Sequence, residues 1–293
     1  MNTTMNTVNQ TFNWSRFTAT LRKEVIENKR SIIFTIICIY GLLTMIMIIG
    51  NLVSGMDGDI TNEIFAEKLP QQIVGGILSF AICIAASMAF KNLTTKGGRT
   101  NLFTSPSSTL EKYLVNILIY VVGTIVAFFI CAQLADLTRI AALWFFRSNS
   151  FIVPGPINFL NAPTAMATKF DQLSELGLTS KNTAVLMGVS MWIGFIANGG
   201  LYLLGSVIWP RLSVLKTFAA VYAIEFVLLL IALPLFAIFG DIDQFGQWVL
   251  DFIVGGKFSI TMLIWTIVQA ILFYSLAWYL FKRKDVISLK WWK

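Results

Sequence analysis

The sequence predicts an all-α polytopic membrane protein, with six transmembrane helices preceded by an amphipathic interfacial helix. Three observations carry this. First, 56% of the 293 residues are hydrophobic, mean hydropathy is +0.73, and only 13% are charged; a soluble domain is nearer a quarter charged. Second, six apolar runs fall at 31–50, 73–89, 114–135, 187–208, 218–240 and 260–281. Each is near the ~20 residues that cross a ~30 Å hydrocarbon core. Third, the cations collect in alternate connections between these runs, as membrane topology demands.

Residues 1–11 are Asn- and Thr-rich and lack an apolar period, which predicts disorder. Residues 12–30 are the amphipathic helix. Phe12, Trp14, Phe17, Leu21 and Val25 recur at mostly helical steps, and Arg16, Arg22, Lys23, Glu24, Glu27, Lys29 and Arg30 lie among and just after them. Aromatic and apolar groups can dip into the headgroup layer while the cations face lipid phosphates. A solvent-exposed helix leading into the first span is the plainer reading. The second span is short and rich in small residues, among them Gly75, Gly76, Ala81, Ala85 and Ala86. Close approach of neighbouring helices follows, so it belongs inside the bundle.

Six spans put both termini on one side. Of the 22 Lys and Arg, sixteen lie in the N-terminus, the 90–113 connection, the 209–217 connection and the C-terminus. The other six are spread over the longer connections 51–72, 136–186 and 241–259. The positive-inside rule therefore places both termini in the cytoplasm and makes the latter three the outer loops. The outer loop 136–186 holds aromatic residues at 144–146 and prolines at 154, 156 and 163, which predict short helices on the outer surface. The outer loop 241–259 reads either as a re-entrant helix or as a surface turn. The tail 286–293 ends in Lys-Trp-Trp-Lys, a cytoplasmic interfacial anchor.

The polar stretch 91–113 organises the chain. Ser108 and Glu111 have the spacing of a capping box, and Pro106 discourages a helix from running through. The spacing predicts a helix ending near Leu93, a turn at Gly97-Gly98 and a new helix starting at Ser108. This stretch is either a connection that caps span three or a contact surface for a cytoplasmic partner.

Little in the sequence can do chemistry. There is no histidine, which removes Ser-His and Cys-His nucleophiles, HExxH zinc sites and His-ligated haem. Cys38, Cys83 and Cys131 all fall in apolar runs without metal-ligand spacing and read as buried apolar side chains. No P-loop motif is present; Gly255-Gly256-Lys257 lacks the strand and spacing. No cofactor is expected, and the basic balance is membrane topology, not nucleic-acid binding. Glu225 is the one charged residue inside an expected span. It reads either as a path or helix-pairing residue or as a hydrogen-bonded structural carboxyl near Tyr222.

Two local segments carry a resemblance. Pro106-Ser107-Ser108-Thr109-Leu110-Glu111-Lys112 is similar to a P-A-S-x-x-E-K segment, and Leu204-Gly205-Ser206 with Leu215-Lys216-Thr217 to an L-G-S…K-T segment. Both occur in a bacterial subgroup of type-2 ABC exporter permeases, which the six-span layout over 12–285 also resembles. The resemblance implies a membrane-spanning subunit without enzymatic activity of its own. A separate nucleotide-binding ATPase and a second permease copy, identical or not, would be its partners in the bacterial cytoplasmic membrane, beside membrane lipids. Residues 12–30 would be the connecting helix. The 91–113 loop would couple to the ATPase through Thr94, Lys96, Arg99, Asn101, Phe103 and Ser105, with Pro106, Ser108, Glu111 and Lys112 as the helix cap. The short 241–259 loop and long 136–186 loop depart from that pattern. A non-transporting scaffold or immunity-type protein is the alternative; an ion-coupled secondary transporter would want more intramembrane charge.

Overall fold

The computed structural model describes residues 12–54, 62–146, 181–239 and 257–284. These residues form helices: α1 (Trp14–Ser54), α2 (Asn62–Met88), α3 (Lys96–Thr104), α4 (Thr109–Ile117), α5 (Gly123–Phe146), α6 (Lys181–Ile208), α7 (Ser213–Phe239) and α8 (Lys257–Lys282). A 3-10 turn, Lys91–Thr94, precedes α3, and one π-helical turn, Leu118–Val122, joins α4 to α5 without a break. No strand occurs among the described residues. Five helices are long and apolar enough to cross a membrane, and α2 adds the apolar stretch Gly75–Met88. The described residues are thus all-helical, with long apolar helices of the kind that make a helical membrane protein. The expectations for 1–11, most of 136–186, 241–256 and the tail fall outside the described residues.

α2 is central, packed against α1, α5 and α6. Its small residues permit this: Ala85 and Ala86 are buried, with Leu78 and Ile82 buried in the turns before them. One core layer joins Leu43 and Met47 of α1 to Leu78, Ile82, Phe128, Cys131, Ala132, Ala135 and Phe195. A second layer, towards the end that carries α3, joins Phe90, Leu93, Tyr113, Leu203, Val207, Ala277 and Phe281. Asn198 Nδ2 donates to Ser79 Oγ at 3.3 Å, and Tyr113 and Tyr274 donate to the carbonyls of Tyr274 and Ile196 at 2.7 and 3.0 Å.

α7 differs from the rest. Ser213 and Thr217 are buried at its root, yet every residue from Tyr222 to Ile231 is exposed. The root is fixed by a close crossing, because a Cβ on Gly205 of α6 would collide with the Thr217 hydroxyl and Cβ. The turn into α7 places Leu212 in the left-handed region, φ 54°, with its side chain 70% exposed. That conformation costs an L-residue ~1–2 kcal/mol.

Five expectations need correction. α1 runs unbroken for 41 residues, about 60 Å at 1.5 Å per residue, so 12–30 is not a separate helix. No Gly or Pro lies between Trp14 and Tyr40 to break it. Its apolar positions also divide: Phe17 is buried, whereas Trp14, Val25 and Ile26 are exposed. Next, helices extend into the expected outer loops. α1 reaches Ser54, α2 starts at Asn62, and α5 continues to Phe146, since 124–146 has no helix breaker. The span through α4 and α5 runs to Ala142, so Glu225 is not the only charge within a span. Asp136 and Arg139 lie in α5 one turn apart, 1% and 0% exposed, with Arg139 Nη2 2.7 Å from Asp136 Oδ1. Gly97 and Gly98 form no turn and belong to the first turn of α3. Finally, Cys38 is exposed on α1, while Cys83 and Cys131 are buried.

Candidate functional site

The sequence-predicted site residues gather at one end of the bundle, around Glu111. Ser108 caps α4 with its hydroxyl 3.2 Å from the Glu111 amide, and the Glu111 carboxylate takes the Ser108 amide at 2.8 Å. The capping box is therefore complete. The same carboxylate does more. Its Oε1 accepts the Asn13 amide at 2.7 Å and lies 3.2 Å from Arg16 Nη2. Glu111 is fully buried. Three donors from two distant segments thus converge on one carboxyl, which makes its ionised form tolerable inside the protein. They also tie the start of α1 to the start of α4.

α3 sits on this mount. Thr95 caps it, its hydroxyl accepting the Gly98 amide at 3.1 Å. Glycine at 98 is dictated by the close approach of the Asn92 carbonyl, which a Cβ would strike. This is why the Gly pair reads as a turn in sequence yet lies in a helix: the 3-10 turn folds back over the first turn of α3. Phe103 faces inward, its ring 6.3 Å from Phe281 of α8. Phe281 in turn meets Phe90 at 4.7 Å, and Tyr113 meets Trp278 at 5.3 Å. An aromatic cluster of this kind adds to area burial through edge and offset contacts, and it fixes α3 and α4 on the end of α8.

Of the six residues expected to couple, not all face out. Lys96 and Asn101 are exposed; Thr94, Arg99, Phe103 and Ser105 are half-buried. Asn101 Oδ1 accepts from Lys23 Nζ at 3.1 Å, a second tie to α1. The Ser105 hydroxyl is 3.1 Å from that of Ser107, and the Ser105 carbonyl accepts from Lys112 Nζ at 3.2 Å. Lys112 is buried and braces the turn before α4; Pro106 is exposed. The outward face of α3 is Lys96, Thr100 and Thr104, spaced four residues apart. Thr100 and Thr104 were missed because hydroxyls carry no charge signal; the helical period from Lys96 would have found them.

The electrostatics of α3 run against its own dipole. Its first turn contains Lys96 and Arg99 and no acid. Cations there are unfavourable by roughly 0.3–1 kcal/mol each. Arg99 also acts on Lys284, just past α8: burial first, then the nearby guanidinium, pull the Lys284 ammonium below its usual pKa.

Glu225 lies apart from this cluster. It is exposed on α7, in the run Tyr222–Ile231, and Tyr222 is exposed as well. Set beside known proteins, the chain matches no family model, no curated protein and no solved structure.

Proposed function

We propose that this chain is the membrane-spanning permease subunit of an ATP-driven exporter of the ABC type, in a bacterial cytoplasmic membrane with both termini inside. α3 serves as the coupling helix against a separate nucleotide-binding ATPase, and a second permease copy completes the path. The observation that supports this most is the mounting of α3. A short polar helix is set between two apolar helices and fixed to α1 through Asn101 and to α8 through Phe103, beside the α4 cap that Glu111 ties to α1. A push on it would reach α1 and α8 directly. Its uncompensated first-turn cations break a local rule, as surfaces that serve a partner do. They suit an acidic patch on that partner.

The test is co-purification. The tagged chain, extracted in mild detergent, is expected to bring down the nucleotide-binding subunit encoded beside it. The outward variant Lys96→Glu with Thr104→Glu is expected to lose that subunit while keeping its melting temperature. Full retention by the double variant counts against α3 as the coupling helix. Absence of any nucleotide-binding subunit from the wild-type preparation counts against the exporter reading itself.

A further inference from the structure

The charges at the α3 end of the bundle are matched on one side and unmatched on the other. On the side of α1 each acid has its donor: Glu111 lies 3.2 Å from Arg16, Glu27 lies 3.8 Å from Lys23, and Glu24 accepts from Asn28 at 3.0 Å. Around α3 itself and the end of α8 stand Lys91, Lys96, Arg99, Lys282, Arg283 and Lys284. None of these makes an ion pair with a carboxylate among the described residues. The positive-inside rule asks for cations at this end. It does not ask for one side to be paired with acids and the other left without them.

Within the unmatched side, packing draws Arg99 and Lys284 together. Arg99 and Phe103 lie one helical turn apart on α3, and the Phe103 ring is 6.3 Å from that of Phe281. Past α8 the chain turns back, with the Lys284 amide donating to the Phe281 carbonyl at 3.1 Å. Lys284 is half-buried and feels the Arg99 guanidinium. Arg99 is half-buried as well, and its Nε is buried without an acceptor. Their neighbours are better served, since Lys282 is exposed and Arg283 sits 4.3 Å over the Tyr279 ring. Two cations in one seam repel, and a buried guanidinium N–H without an acceptor is costly. A carboxylate answers both demands: one planar group matches the edge of the arginine fork and neutralises the lysine beside it. Resting on the reading of α3 as the coupling helix, we propose that an Asp or Glu side chain of the nucleotide-binding subunit inserts between Arg99 and Lys284. The end of α8 is then part of the docking surface. A flat headgroup surface meets exposed cations such as Lys96 and Lys282, whereas a half-buried seam takes a projecting side chain. The free chain carries the repulsion and the complex relieves it.

The experiment measures the affinity of the purified nucleotide-binding subunit for the full-length chain in phosphatidylcholine nanodiscs, and the melting temperature of the chain alone. Arg99→Gln is expected to weaken binding about tenfold, Lys284→Gln about fivefold and Lys282→Gln less than twofold. The chain alone with Lys284→Gln is expected to melt no lower than wild type. Affinity lost without stability lost is a signature that a structural role does not give. Added salt should weaken wild type more steeply than Lys284→Gln. Equal affinity of wild type, Arg99→Gln and Lys284→Gln overturns the inference; α3 remains the coupling helix if Lys96→Glu with Thr104→Glu still loses the subunit. Failure of the subunit to bind wild type removes both readings. A fall in the melting temperature of the chain alone for Lys284→Gln and Asp285→Asn alike shows that Asp285 already answers these cations, and overturns the inference. So does a stabilisation by phosphatidylglycerol nanodiscs that Arg99→Gln abolishes while subunit affinity is unchanged, which gives the seam to lipid. Should Arg99→Gln fail to fold, Lys284→Gln and the salt dependence decide.

Discussion

Glu111 and Glu225 are both glutamates in helices of a chain poor in charge, and the protein treats them in opposite ways. Glu111 is fully buried and holds three donors from α1 and the α4 cap. Glu225 stands exposed on α7 among apolar side chains that are themselves exposed. The first carboxylate is inside because donors were built around it; the second faces out, and any partner for it must come from beyond the described residues. The same contrast holds for their surroundings. α1, α3, α4 and the end of α8 are cross-tied by hydrogen bonds and stacked rings, whereas among the described residues of α7 the buried ones, Ser213 and Thr217, lie at its root. The region proposed to receive a push is the cross-tied one, and Glu225 lies on the exposed stretch of the other.

The largest effect is expected at Glu111. Glu111→Ala removes the acceptor for two backbone amides and leaves Arg16 without its carboxylate, so a loss of about 3–5 kcal/mol is expected. Unfolding in mild detergent measures it. Arg16→Gln should cost clearly less, since the Asn13 and Ser108 amides keep their acceptor. A loss below ~1 kcal/mol for Glu111→Ala would break the contrast on its strong side.

Next comes the root of α7. Gly205→Ala sets a methyl against Thr217, and overpacking of this kind costs ~1–3 kcal/mol. Thr217→Ala removes the hydroxyl the new methyl would strike, so the double variant is expected to recover at least half of the loss. Thr217 Oγ1 has no hydrogen-bond partner, hence the single Thr217→Ala should be nearly silent. Absence of rescue would show that the two helices do not cross as closely as described.

Glu225→Gln tests the weak side. With no intramolecular donor to lose, stability should change by no more than ~0.5 kcal/mol, the range of ordinary exposed substitutions. If Glu225 lines a path or pairs with a second copy, ATPase stimulation or self-association falls while the melting temperature stays. A destabilisation matching that of Glu111→Ala would erase the distinction between the two residues.

The sequence made the helical spans legible because apolar length is a local property. It also revealed the capping box, since Ser108 and Glu111 are three residues apart. It did not reveal Asn13 or Arg16 as partners of Glu111, as nothing local couples residues 98 apart. Helix ends were misread wherever polar residues continue a helix past the apolar run, as Asp136 and Arg139 do in α5. The Gly97-Gly98 pair misled for a related reason. Two adjacent glycines signal a turn by propensity, but here Gly98 answers a steric demand from Asn92 that only the folded-back 3-10 turn creates. The outward face of α3 was half legible: charge marked Lys96, and only the helix could show that Phe103 and Ser105 turn inward.

The smallest effect belongs to the cross-tied region again, at Lys284. Burial and Arg99 lower its pKa in the folded protein, so the folded state binds its proton less tightly than the unfolded chain does. Between the depressed folded value and the ordinary lysine value the unfolded state holds more protons, and stability must rise with pH there. Below both values the charged ammonium is a constant burden. Lys284→Gln should therefore melt slightly higher than wild type at neutral pH, and the gap should close as the pH climbs towards the ordinary lysine range. Arg99→Gln should shrink the same gap at neutral pH, though not abolish it, because burial is the larger cause. A gap that stays constant across the alkaline range would mean that Lys284 is solvated like any surface lysine and that α3 and the end of α8 do not press their cations together.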